Sequence, residues 1–243
     1  MVENPTIIIQ ARMNSERLPG KVLMTIGGKP LIGILLGRLL KANLPIVVAT
    51  SVNRENDVLA DYVTSLNIPC FRGSEEHVLE RYVKAAIQYN ANPIFRLTGD
   101  NPLMDPNLLD AALDLYHYSG GERAYVASGI SRSFPLGISC ELFSQQLLQE
   151  AYLNASTPAE NEHVTPYMHQ NKPGNIRIIP LTGPCNRYHY RLTVDTPEDF
   201  ELHRILIEQY HADTLNVGEI IRIMDNHPEL QKINSAIIQK PIS

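Results

Sequence analysis

Residues 10 to 21 read Gln-Ala-Arg-Met-Asn-Ser-Glu-Arg-Leu-Pro-Gly-Lys, which gathers Arg12, Arg17 and Lys21 around Ser15 and Gly20. Guanidinium forks, an ammonium and free backbone N–H groups are the donors a polyphosphate takes. Glu16 sits among them, so the stretch is not a simple basic patch. The plainer reading, an ordinary loop with solvated charges, explains the composition equally well. A second set of residues is acidic. Asp100 falls in Thr98-Gly99-Asp100-Asn101-Pro102, and Asp195 in Val194-Asp195-Thr196-Pro197-Glu198-Asp199. A carboxylate just after a glycine, where the backbone can approach a ligand closely, suits a metal; simple turn capping also accounts for it. Thr196 is a candidate helix cap with Pro197 at the first helical position, which gives Glu198 and Asp199 a structural role at a helix N-terminus. Asp195 precedes that cap and is left free to face a cleft. Magnesium takes one or two carboxylates together with waters and substrate phosphates. Asp100 and Asp195 are therefore a candidate pair, although spacing alone does not bring them together.

Several common chemistries are excluded. A Walker loop needs Gly-x-x-x-x-Gly-Lys-Ser/Thr, whereas Gly20-Lys21 is followed by Val22 and position 15 is Ser. Gly-x-Gly-x-x-Gly is missing after the first strand, which disfavours a dinucleotide site. Nothing orders Ser, His and Asp or activates a cysteine, so covalent catalysis has no support. The 243 residues carry a net charge of −5, which argues against a general nucleic-acid binder and for a small anion held at one place. Cys70, Cys140 and Cys185 are odd in number and far apart, pointing to a reducing compartment rather than a disulfide framework. The longest apolar stretch, 31–40, is interrupted by Gly33, Gly37 and Arg38 and is too short to span a bilayer. The expected location is the cytoplasm.

The elements that must position these residues follow a regular rhythm. Positions 6–9, 46–50, 68–71 and 93–98 are short β-branched or apolar runs. Between them, 31–42, 55–66 and 77–89 carry apolar residues at helical spacing, the last with Ser74 as a candidate cap. Alternation of this kind predicts right-handed βαβ units and a parallel sheet. Asp105-Pro106 starts a further helix to about 118. Downstream, 124–128, 176–181 and 188–194 read as strands, and 131–143 as a loop leading into another. Ser144 caps a helix to about 153, 162–167 opens a short helix, and helices follow at 197–210, 216–225 and 228–238. The loop 10–21 then lies at the carboxyl end of the first strand, where open α/β sheets bind ligands. No linker divides the chain, which reads as one domain over 1–243.

Gln10 to Lys21 resembles the signature of the sugar-activating cytidylyltransferases, a strand followed by (P/Q)-A-R-x-x-S-x-R-L-P-G-K. That family includes the CMP-KDO and CMP-sialic acid synthetases and the spore-coat polysaccharide biosynthesis protein F group. Thr98 to Pro102 and Val194 to Asp199 are similar to the family's (Q/T)-G-D-x-P and V-D-T-P-x-D segments, in the same order. The likeness runs from about residue 6 to 210 and includes Phe71-Arg72-Gly73-Ser74, Val78 to Tyr82, Glu162 to Tyr167 and Arg191 to Asp195. It departs at Asn14, where glycine is expected. It departs again at Pro135-Leu136-Gly137-Ile138-Ser139-Cys140-Glu141, where the group tends to read P-D-G-x-D-x-E and two acidic positions are lost.

The resemblance implies a Rossmann-like three-layer α/β/α sandwich of the nucleotide-diphospho-sugar transferase type, with a mixed, mostly parallel sheet. It implies a Mg²⁺-dependent enzyme that joins CTP and a sugar acid into a CMP-sugar and pyrophosphate for surface polysaccharide or glycan synthesis. Asp100 and Asp195 would hold the metal; Arg12 and Lys21, with Arg17, would grip the triphosphate. Ala11, Ser15, Arg72 and Ser74 would meet the nucleotide. Arg132, Glu162, His163 and Arg191 would face the sugar acid, although His163 also fits as a half-buried histidine near a helix start. Relatives of the CMP-KDO type commonly form homodimers. A glycosyltransferase using a preformed nucleotide sugar is the alternative on the same fold, disfavoured because Asp100-Asn101-Pro102 is not Asp-x-Asp. A non-catalytic nucleotide-binding subunit is another, suggested by the lost acids.

Overall fold

The computed structural model describes residues 3–183 and 186–239. Strand β1 (Thr6–Gln10) carries Ile7, Ile8 and Ile9, all fully buried. A β-branched run covered on both faces is what a central parallel strand requires, and each such burial contributes roughly 1.5–3 kcal/mol. After the 11–20 loop comes a short helical turn at Lys21–Leu23, a small hairpin of β2 (Thr25–Ile26) and β3 (Lys29–Pro30), and helix α1 (Leu31–Leu39). The expected alternation follows through β4 (Ile46–Ser51), α2 (Asp57–Ser65), β5 (Cys70–Gly73), α3 (Val78–Gln88), β6 (Ile94–Thr98) and α4 (Asn107–Tyr118). The second half contains β7 (Ala124–Ala127), β8 (Glu141–Phe143), α5 (Gln145–Asn154), α6 (Pro158–His163), α7 (Pro166–His169) and β9 (Arg177–Pro180). It closes with α8 (Pro197–Tyr210), α9 (Val217–Asn226) and α10 (Pro228–Lys232).

Seven strands form one sheet in the order β5-β4-β1-β6-β8-β7-β9. β8 is antiparallel to both β6 and β7, and the other pairs are parallel, so the sheet is mixed and mostly parallel. Alternation along β1 separates the two apolar layers. Ile7 and Ile9 join a cluster with residues of α1, α2, α4, α8 and α9, and Ile8 joins one with α3 and α5. From β1 the chain first builds outward through β4 and β5, then returns to place β6 on the other side of β1. That reversal is a topological switch point, and the crevice it opens lies at the carboxyl ends of β1 and β6.

Three local expectations are corrected. The 188–194 segment is not a strand. It makes an isolated bridge between Arg191 and Leu136, and its Val194 N–H then donates to the Asp100 carbonyl at 2.8 Å. β8 already occupies the edge of β6, so this β-like sequence crosses the strand ends instead of joining the sheet. The short helix expected from 162 is two helices, α6 and α7, separated by Val164 at φ +67°. Thr157 caps α6 five residues before the expected start, and Glu160 completes a capping box. The last helix, expected to reach 238, ends at Lys232. Cys70 and Cys140 are free thiols, and Cys185 lies outside the described residues.

Candidate active site

The crevice is formed by close backbone contacts. Gly99 N–H donates to the Gln10 carbonyl at 2.8 Å, and a side-chain carbon at Gly99 would come within 2.8 Å of Ala11 Cβ. Glycine is needed here to let the β6 turn lie against the start of the β1 loop. Gly137, at φ +100°, packs the 134–138 loop against the Leu192 backbone, which a Cβ would meet at 2.4 Å. The β1 loop itself is pinned by Asn56, whose Oδ1 accepts from Met13 N at 2.9 Å, and by Asn14, which donates to Glu55 at 2.6 Å. Gly20 at φ +72° turns the chain so that the following helical turn directs Lys21 back into the crevice.

There Lys21 Nζ lies 2.9 Å from Asp100 Oδ2 and 2.7 Å from Asp195 Oδ1. Arg17 and Arg191 reach the other oxygen of Asp195 at 3.0 and 2.8 Å. Thr98 donates its hydroxyl to Asp100 Oδ1 at 2.6 Å and accepts from Asn101 Nδ2 at 2.9 Å. Burial works against the Lys21 ammonium, but Asp100 and Asp195 outweigh it and hold the group above its ordinary value. Burial likewise opposes the Asp195 carboxylate, and Lys21, Arg17 and Arg191 more than offset this and hold it below the usual range. Two carboxylates from distant segments thus converge on one positive centre.

Their hard oxygen donors fit a magnesium ion. Among the described residues no group of three or more His, Cys, Asp or Glu could hold a metal. A cation at Asp100 and Asp195 would therefore take its remaining ligands from water and substrate, as magnesium does.

A cleft of about 740 Å³ opens beside this centre and shares Thr98 with it. Arg132 and His163 line it; the Arg132 guanidinium lies 5.4 Å from the Tyr188 ring centroid. Its floor is an ion pair between Arg96 and Glu141, where Glu141 also accepts from Tyr125 and, at 2.7 Å, from Thr165. Burial disfavours the Arg96 charge, but Glu141 and its neighbours hold it above its ordinary value.

The remaining expected site residues are held in several settings. Ala11 is buried beneath the loop, and Ser15 is half-buried on it. Arg12 is exposed and 3.3 Å from Glu75. Arg72 turns toward the start of α2, bonding the Ser51 and Asn53 carbonyls and Asp57. Ser74 accepts from His77 N–H at 3.1 Å, just ahead of α3. Glu162 is exposed, whereas its neighbour His163 faces the cleft. Arg191 is buried and committed to Asp195 and Asp199, the latter at 2.8 Å, so it supports the carboxylates from below.

The model for the cytidylyltransferase family matches residues 6–224. The chain belongs to the cytidylyltransferase family. It is 38% identical over 239 residues to the uncharacterized protein MJ1063 of Methanocaldococcus jannaschii, covering 96% of this chain and 95% of that protein. It is 36% identical over 233 residues to the spore coat polysaccharide biosynthesis protein SpsF of Bacillus subtilis, covering 91% and 94%. A cytidylyltransferase structure from Leptospira borgpetersenii superposes with a TM-score of 0.89 at 31% identity, covering 98% of this chain and all of that one (100%). A CMP:2-keto-3-deoxy-manno-octonic acid synthetase complexed with CTP shares the fold at a TM-score of 0.63 and 22% identity, covering 85% and 99%.

Within this family member, Thr98, Asn101 and Glu141 stand in quoted segments without an assigned role and Arg96 stands in none, yet all four border the centre or the cleft. One signal was available: an arginine in the middle of a central strand is rarely tolerated without a partner. Among the described residues, no helix is long and apolar enough to cross a membrane.

Proposed function

We propose that this cytidylyltransferase, as one catalytic domain over 1–243, uses CTP to activate a sugar acid as its CMP derivative for surface polysaccharide or glycan synthesis. The acceptor hydroxyl oxygen bonds to the α-phosphorus, the bond from that phosphorus to the β-phosphate oxygen breaks, pyrophosphate leaves, and the hydroxyl proton passes to solvent. The observation that carries this reading is the convergence of Asp100 and Asp195 on one cation, Lys21, at the sheet's switch point. Mg²⁺ held by Asp100 and Asp195 would neutralise charge at the α-phosphate and help orient the attacking hydroxyl. Arg12, Arg17 and Lys21 grip the triphosphate and stabilise the leaving pyrophosphate. Ala11 and Ser15 meet the nucleotide with the loop backbone, and Arg72 and Ser74 border the base. Arg132, on the cleft wall, offers positive charge to the acceptor carboxylate, and His163 beside it offers an imidazole N–H. Glu162, exposed beside His163, is an acceptor-side residue, and Arg191 acts on the acceptor side through Asp195.

The named relative in polysaccharide synthesis supports the pathway class. The test is pyrophosphate release with Mg²⁺ and each of CTP, UTP, ATP and GTP against a panel of eight- and nine-carbon sugar acids. Release with CTP and one acid is expected. Pyrophosphate release with another nucleotide in preference to CTP, or turnover of a nucleotide sugar with release of its nucleotide and no pyrophosphate from any triphosphate, overturns the reading.

A further inference from the structure

Every carboxylate oxygen of the central pair already has a donor. Asp100 Oδ1 takes the Thr98 hydroxyl and Oδ2 takes Lys21; Asp195 Oδ1 takes Lys21 and Oδ2 takes Arg17 and Arg191. Asp199 receives Arg191 on both oxygens, at 2.8 and 3.1 Å, and accepts from the Asp195 and Thr196 N–H groups. Formal charges therefore balance: Arg17, Lys21 and Arg191 against Asp100, Asp195 and Asp199. The pair is in the state a cation would leave it in, with an ammonium at the shared position.

This has an electrostatic consequence. A divalent ion arriving alone must expel Lys21 from two ion pairs in a half-buried site, and then sit beside three protein cations whose charge already balances that of Asp100, Asp195 and Asp199. Magnesium approaches oxygens to ~2.1 Å, closer than the 2.7 and 2.9 Å of the ammonium contacts, so an ion bridging the two oxygens that Lys21 bridges would be crowded against a like charge. A triphosphate changes the sign of the problem. It brings its own negative charge, supplies the missing ligands, and offers the displaced ammonium a new partner. Of the three cations, Lys21 is the one suited to move. It is a point charge on a flexible stem, whereas Arg191 is fixed by its fork on Asp199.

We infer that Lys21 is the resident counter-ion of the Asp100–Asp195 pair and yields it only when a nucleoside triphosphate enters, so that the divalent cation binds with the nucleotide and not before it. The inference rests on the function proposed above and adds an order of binding and a second position for Lys21.

Mn²⁺ is the probe, followed by electron paramagnetic resonance of the free ion, with thermal shift as a second readout. Nucleotide-free wild-type protein is expected to take up Mn²⁺ only in the millimolar range, and to retain it at least tenfold more tightly with α,β-methylene-CTP. Lys21→Met, which keeps the stem and removes the charge, is expected to bind Mn²⁺ without nucleotide at least tenfold more tightly than wild type, about 1.4 kcal/mol. Its melting temperature should rise with Mn²⁺; Lys21→Arg should behave as wild type. Tight Mn²⁺ binding by the nucleotide-free wild type overturns the inference, and this arm decides even where the methionine variant fails to fold. An unchanged Mn²⁺ affinity in a folded Lys21→Met protein also overturns it, while Mn²⁺ retention with the analogue leaves the proposed function standing. Failure to retain Mn²⁺ with the analogue removes the metal role of the pair, and the inference with it.

Discussion

Thr98 has one hydroxyl proton, and its use is decided by Asn101. Because the Asn101 amide donates to Thr98 Oγ1, that proton is directed to Asp100 Oδ1, which leaves Oδ2 facing Lys21. Thr98→Val keeps the shape and removes the donor. Steady-state kinetics should show kcat lowered roughly tenfold, the scale of one hydrogen bond to a charged group, with KM for CTP little changed; a loss confined to KM would mean that Thr98 meets the nucleotide instead. Asp100→Asn and Asp195→Asn remove charge without volume and should each lower turnover by on the order of 10²-fold or more, with circular dichroism showing folded protein. Normal turnover in both would remove them from the chemistry. Lys21→Ala should weaken CTP binding measured by calorimetry. The charged members of this centre were legible through the family resemblance of their segments, since by themselves an Asp in a turn and cations in a loop also have ordinary local uses. Thr98 and Asn101 were not, since a hydroxyl and an amide acquire their roles only from which neighbour already holds their protons.

At the scale of an element, α6 shows why some local structure was missed although its signature was present. Thr157-Pro158-Ala159-Glu160 is a capping box, but the helix that follows has no apolar period to mark it as one. Glu160 makes this end stable. Burial would raise its carboxyl, but Lys172 and the Ser156 and Thr157 donors outweigh that and bring it from 4.5 down to about 2. A carboxylate depressed in the folded state adds stability that is fully present above its ordinary value and is lost as pH falls through the folded one. The α6 contribution should therefore be intact at neutral pH and disappear between 4.5 and about 2. Glu160→Gln should cost about 2–3 kcal/mol at neutral pH. Urea unfolding at a series of pH values checks this: wild type and variant should converge toward the acid end, and a gap independent of pH would assign the loss to packing. The 188–194 segment failed for the opposite reason. Its alternation is strand-like, but the sheet edge it would join is occupied by a strand nearly fifty residues earlier, and local pattern carries no record of that.

For the whole molecule, the βαβ rhythm through residue 118 was legible because each element carries its own period, and the site's position followed from the strand-end rule. The antiparallel insertion of β8 between β6 and β7 was not, because strand order depends on pairing between distant segments. The layer of α1, α4, α8 and α9 is tied by Arg38, which is buried and donates to the carbonyls of Leu103, Met104, Ala212 and Leu215 at 2.8 to 3.3 Å. Arg38→Met fills the space but strands several acceptors, and should cost about 2–4 kcal/mol. Lysine cannot reproduce the planar fork, so Arg38→Lys should recover little of the lost melting temperature; full recovery would show that charge rather than geometry holds these loops.

The bond from Val194 N–H to the Asp100 carbonyl, and the Lys21 contact to Asp195 across 174 positions, have a consequence for how the protein comes to life during folding. The 11–20 loop and the β6 turn belong to the first hundred residues and can be organised as soon as β1 and β6 pair. Asp195 can join them only after the chain has closed a far longer loop, and contacts of such sequence separation form late. The loop and the β6 turn are therefore expected to be in place before Asp195 reaches them, and a chain still emerging from the ribosome would hold one half of the candidate site without the other.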